Sequence, residues 1–289
     1  MKKHIIIPLS LMLSVGLLAG AGTVVHADGT GDVPYLALGA DLNKEEKATV
    51  LRLLDVDEDD LDEYKTITIT NQDEHDYLDS YLSSKVIGDR ALSSVFIERE
   101  DEGEGIDVTT KNITYCTDGM YENALTTAGI RDAEVVVAGP FNITGTAALV
   151  GTMKAYEEMT GETLSKEAKD TATNELVVTG EIAETIGDAE KAEQLLAYVK
   201  QEISKEDIKS KEGIEKVIDE GCEVYGISLS EDEKAELTDL ALKLGSLDLD
   251  YGVLKQQAKD IYSQLKDMDI DTKGLFDLIK SILKQLLGD

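Results

Sequence analysis

Thr66-Ile67-Thr68-Ile69-Thr70-Asn71-Gln72-Asp73-Glu74-His75-Asp76-Tyr77-Leu78-Asp79-Ser80-Tyr81-Leu82 changes its apolar period partway along. Alternation over 66–70 marks a half-buried strand, and the spacing of Tyr77, Leu78, Tyr81 and Leu82 predicts a helix over 73–86. Downstream, strands are expected at 93–98 and 106–113, separated by the acidic turn Asp101-Glu102-Gly103-Glu104-Gly105. A helix over 118–128 closes at Gly129, a buried strand over 133–138 stops at Gly139-Pro140, and a helix over 146–159 ends at Gly161. Strand, helix, strand, strand, helix, strand is the order of the split βαβ sandwich. The expectation is an α+β protein in which residues 28–160 form a ferredoxin-like α/β sandwich, an antiparallel sheet with helices on one face.

Beyond Thr163 strand patterns vanish. Ala192, Leu195, Leu196, Val199 and Ile203 recur at helical spacing, as do Ile214, Val217, Ile218 and Tyr225, then Leu237, Leu240, Ala241 and Leu244, then Leu254, Ala258, Ile261, Tyr262 and Leu265. Each helix has one apolar face and the links are short, so residues 161–289 are expected to form an antiparallel helical bundle. Asn43 with Glu46, and Ser230 with Glu233, have the spacing of capping boxes at helix starts.

At the other end of the chain, Lys2 and Lys3 precede an apolar run from Ile5 to Val25, and Val25-His26-Ala27 stands before Asp28. This is the pattern of a cleaved secretory signal over residues 1–27, so the expected location is extracellular, with cell-wall association as its variant. Position 21 is Ala where a lipoprotein anchor needs Cys. The whole chain has 28 basic and 59 acidic residues, a formal charge of −31, and loss of the leader removes two lysines and no acid. Nucleic acid needs a basic stripe to displace its counterions, so it is excluded as a partner. No transmembrane span is expected after the leader, because no apolar run there reaches the roughly 20 residues it requires. Cys116 and Cys222 are the only cysteines, and the sequence leaves open whether they are bridged.

Motifs for chemistry are scarce. His4 and His26 fall in the leader, leaving His75, so a histidine-ligated zinc centre has too few ligands. Asp55-Val56-Asp57-Glu58-Asp59-Asp60 and Asp267-Met268-Asp269-Ile270-Asp271 lack the sixth-place Gly and twelfth-place Glu of a calcium loop. No catalytic residue, metal site or cofactor is expected. The candidate ligand-binding residues are Asn112, Thr114, Asn142, Thr144, Gly145 and Thr146: a strand passes through a Gly and Thr loop into a helix start, where free amides and hydroxyls suit anions. The loop lacks the lysine of a P-loop, and Asn112-Ile113-Thr114 repeats Asn142-Ile143-Thr144, so caps and tight turns are the competing explanation. Residues 274–289 combine a broad apolar face with Lys280 and Lys284, which suits packing within the bundle or weak contact with a membrane surface.

Asn112-Ile113-Thr114, Met120-Tyr121-Glu122-Asn123-Ala124-Leu125-Thr126-Thr127-Ala128-Gly129-Ile130, Pro140-Phe141-Asn142-Ile143-Thr144-Gly145-Thr146-Ala147-Ala148-Leu149 and Lys154-Ala155-Tyr156-Glu157 resemble the YpuA-like family of uncharacterised secreted proteins from Gram-positive bacteria. The resemblance implies export and transfers no activity, cofactor or catalytic residue. The functional expectation is a secreted, non-enzymatic protein that binds an envelope component or another protein. Its alternatives are a carboxylate-dependent cell-wall hydrolase and a peripheral membrane-surface protein docking through the C-terminal amphipathic helix.

Overall fold

A computed structural model describes residues 33–247. In chain order they form β1 (Tyr35–Gly39), α1 (Lys44–Leu53), a 3-10 turn (Glu58–Glu63), β2 (Lys65–Ile69), α2 (Asn71–Leu78), α3 (Ser84–Ile87), β3 (Ser94–Arg99), β4 (Ile106–Ile113), α4 (Asp118–Ala128), β5 (Ala133–Ile143), α5 (Thr146–Thr160), α6 (Lys166–Ile186), α7 (Ala189–Lys205), α8 (Lys211–Tyr225) and α9 (Glu231–Leu244). The expected leader and the segment 254–289 lie outside these residues. Both expected capping boxes are present, Asn43 with Glu46 starting α1 and Ser230 with Glu233 starting α9.

The protein is α+β, built on one five-stranded sheet of order β2-β1-β3-β5-β4. The outer pairs β1 with β2 and β4 with β5 are parallel, joined through α1 and α4 respectively, and central β3 is antiparallel to both of its neighbours. This is not the all-antiparallel order expected of a ferredoxin-like sandwich. The expectation lacked β1, and Tyr35-Leu36-Ala37-Leu38-Gly39 is buried at every position, so it has no polar alternation to betray it. The helix expected over 73–86 is also interrupted. It stops at Leu78, and a separate turn over Ser84–Ile87 ends at Gly88, whose φ of 82° suits glycine. The last strand runs on to Ile143, past the expected stop at Pro140, because β3 pairs with it only as far as Ala138. Beyond that point β4 remains as its partner through Ile113, and the proline's missing N–H costs no bond on the β3 side.

Alternate strand residues feed two faces. Tyr35, Ala37, Val95, Ile97, Val135 and Val137 pack with α2, α4, α5 and the first half of α6. Leu36, Leu38 and Ala138, with Phe96 and Val136, pack with Val50, Leu51 and Leu54 of α1 and its end. Gly151 sets the approach of α5, since a Cβ there would stand 2.9 Å from that of Ala37. A further core joins the second half of α6 with α7, α8 and α9. Thus α6 serves both, with Ala172, Leu176 and Val177 in the sheet-side core and Val178 and Ile182 in the helical one.

Lys200 of α7 and Glu175 of α6 meet at this junction, fully buried and 3.0 Å apart. Lys200 also donates to the Asn123 carbonyl at 2.8 Å and to Thr127 Oγ1 at 3.3 Å, and Thr127 donates to Glu175. Burial pushes the Glu175 carboxyl up and the Lys200 amine down, and the opposite charge of each resists the change in the other. Removing one partner strands a buried charge, so Lys200→Met alone is expected to cost about 3–5 kcal/mol in urea unfolding. The double variant Glu175→Met/Lys200→Met should lose less than either single variant, as a double-mutant cycle will show.

Candidate functional site

β1, β2, β4 and β5 all end at one edge of the sheet, where β3 begins. In open sheets this carboxyl edge is where ligands gather. The two Asn-Ile-Thr segments meet here side by side, with Ile113 registered against Ile143. Asn112 takes a left-handed backbone, φ 61°, at the irregularity between Lys111 and Ile113, and its Nδ2 donates to the Gly139 carbonyl at 3.1 Å. Thr114 donates its amide (2.8 Å) and hydroxyl (3.0 Å) to the Ile143 carbonyl, and the Cys116 amide donates to the Thr144 carbonyl at 3.1 Å.

The next turn leads inward. Gly145, φ 100°, starts α5, and its carbonyl accepts from the buried Tyr121 hydroxyl. Thr144 Oγ1 lies 3.4 Å from Thr146 Oγ1, which donates to Glu74 Oε1 at 2.7 Å. Asn71 Nδ2 donates to the other Glu74 oxygen at 3.2 Å. One amide of the first turn of α5, that of Ala148, donates to Ser93 Oγ at 2.9 Å. Glu74 is 1% exposed, and burial raises its pKa against the hydrogen bonds from Thr146 and Asn71. The place a bound anion would take near the start of α5 therefore faces the protein's own carboxyl group.

Of the six candidates, Asn112, Thr114, Thr144, Gly145 and Thr146 are drawn into this joint, and Asn142 sits exposed beside Phe141 at the tip of β5. No motif singles out Glu74 as a site residue, although it falls one turn before Leu78 on the inward side of α2. His75 points outward with Nδ1 2.6 Å from Asp79 Oδ1, a bond that raises its pKa. Asp57 of the acidic turn caps the 3-10 segment through the Asp59 amide at 3.1 Å. Among the described residues no group of three or more His, Cys, Asp or Glu is placed to hold a metal ion, and no helix is long and apolar enough to cross a membrane. Cys116 and Cys222 are free thiols, one in the sheet-side core and one in the helical core. Burial disfavours the thiolate at both, far more strongly at Cys116.

A second carboxylate stands where the helical layer meets α4. Glu193 of α7 bonds to the hydroxyl of Thr117, the N-cap of α4, and lies so close to Gly119 that a Cβ there would collide with it. Burial raises its pKa to about 7, helped by Glu190, Asp118 and Asp188 and resisted by Thr117.

A family model described as "Protein of unknown function (DUF1002)" matches residues 38–261. "Uncharacterized protein YpuA" of Bacillus subtilis (strain 168) is 39% identical over 274 residues, covering 93% of this chain and 91% of its own length. No solved structure matches.

Two outcomes follow from the joint. Thr146→Val leaves Glu74 buried without its closest donor and should destabilise the protein by about 1–3 kcal/mol in chemical denaturation, whereas the exposed Asn142→Ala change should stay within about 0.5 kcal/mol. Neither thiol should react with a maleimide in the native protein, and both should react after unfolding without reductant, as intact mass will show.

Proposed function

The chain belongs to the DUF1002 family and is a YpuA-like protein of the Gram-positive type, and from that premise we propose that it is an exported, non-enzymatic protein that binds an envelope component or another protein. What carries the reading is the carboxyl edge of the sheet. There Thr146, Tyr121, Ser93, Asn112 and Thr114 all have partners within the protein, so the edge braces the sheet against α2, α4 and α5. Recognition then belongs to the outer surface, which is strongly acidic in a chain of formal charge −31. Such a surface favours a cationic or neutral partner and disfavours anionic polymers at close range.

The secretory pattern of residues 1–27 supports export, with the mature protein beginning at Asp28. Separation of medium, wall and membrane, followed by mild crosslinking of intact cells, tests the reading. The expected result is a product starting at Asp28 that crosslinks to an envelope partner. Recovery only as free protein without a crosslinked partner overturns it. Release of soluble fragments from isolated walls by the purified protein would replace it with the carboxylate-dependent hydrolase. Liposome binding that disappears on deletion of 274–289 would replace it with the membrane-surface protein.

A further inference from the structure

α7 grips α4 at two polar points, and the two differ in what protons do to them. The Lys200 end is a fully buried ion pair. The Glu193 end is half-buried, at the start of α4, where the carboxyl group accepts from Thr117 and stands over Gly119, while Asn123 Nδ2 ties the α7 backbone to α4 by donating to the main-chain carbonyl of Glu193 at 3.1 Å. We propose that Glu193 is a proton-operated latch between α7 and the N-terminus of α4: protonated, it closes the contact, and ionised, it loosens it.

The surroundings give the direction. The titratable groups facing Glu193 are Asp118 at the start of α4, Asp188 in the link before α7 and Glu190 on α7 itself. All three are acids. Lys191, two residues before it on α7, is directed to Asp188 at 4.0 Å. Burial first, and then this acidic ring, disfavour a charge on Glu193, while Thr117 alone among its named partners favours one, and the balance leaves its pKa at about 7 against an ordinary 4.5. The folded-state value is raised. Between those two values the folded protein therefore holds a proton that the unfolded chain has released, and the stabilisation is full at the acid end and lost as pH rises through about 7. One proton per molecule weakens closure by up to about tenfold per pH unit within that window.

Urea midpoints and amide exchange at residues 118–121, the latter corrected for intrinsic chemical rates, should be followed in the full chain from pH 5 to 8.5. The wild type is expected to lose stability, and the first turn of α4 to exchange several-fold faster, as pH rises from 5 to about 7, with both levelling off above that. Glu193→Gln, which is permanently uncharged, should flatten both profiles, and Asp118→Asn should move the upper end of the transition to lower pH by allowing Glu193 to ionise there. Parallel profiles for wild type and Glu193→Gln overturn the latch. Should Glu193→Gln fail to fold, carboxyl-carbon NMR titration of Glu193 in the wild type decides, and a midpoint below about 5 overturns it. None of these outcomes depends on export or on a partner.

Discussion

The buried contact between Glu175 and Lys200 is the constraint on which the joining of sheet and helices depends. Two opposite charges, both withdrawn from water, are satisfied only where α4, α6 and α7 deliver them together with Thr127 and the Asn123 carbonyl. A pair like this repays its desolvation in one geometry alone, so it selects an alignment more than it adds net stability. The alignment is legible in the contacts. Thr117 meets Glu193 and Thr127 meets Lys200, so α4 and α7 run in the same direction, while Thr127 meets Glu175 and Met120 meets Gly180, so α6 runs opposite to α4. Slippage by one turn would leave a lysine and a glutamate unpaired in an apolar layer.

Much of the local structure was legible because its causes are local. A capping box spans four residues, a left-handed cap needs one glycine, and α4 with its Gly129 stop falls where those signs place it. The sheet order was not legible, since parallel pairing of β1 with β2 and of β4 with β5 depends on which layers α1 and α4 cover. Strand β1 was hidden for a related reason: packed on both faces, it lacks the alternation that revealed β2. The charged residues at the junction did leave a trace. Glu175 lies one turn before Thr179 and two before Ile182, and Lys200 lies one turn after Leu196 and before Ile203, so both interrupt apolar stripes on inward faces. Opposite charges on two such stripes are a signature of a buried pair, readable only once the two helices are supposed to touch.

The Gly and Thr segment at the carboxyl edge shows where residue type stops informing function. A hydroxyl at a helix start offers the same atoms whether it awaits a phosphate or satisfies a neighbour. The difference here is made by Glu74, seventy-two residues earlier in sequence than Thr146, which fills the inward side with a carboxyl group of the chain itself. Register does the rest, by laying Asn112-Ile113-Thr114 against Asn142-Ile143-Thr144 so that each segment ties down the other. The repeat in the sequence is thus two halves of one parallel pairing.

Two sets of acid groups in this protein act in different ranges of pH. Glu46 and Glu233 are held low, the first by the Asn43 amide and Arg90 and the second by Ser230, and Asp73 is brought to about 2 where bonds from Lys154 and Thr70 outweigh its burial. These depressed groups stabilise the fold above their unfolded values and give that up as pH falls from those values through the folded ones. Glu74, Glu193 and Glu202 are raised chiefly by burial, so their ionisation opposes folding as pH climbs above their ordinary values. Self-repulsion in a chain of charge −31 acts in the same sense as the raised set. The losses from these groups on the acid side therefore begin only after the raised ones have taken up protons, and the combined contribution of the two sets is greatest in mild acid. The caps that lower Glu46 and Glu233 are local in origin, whereas the burial that raises Glu74 and Glu193 comes from partners distant in sequence.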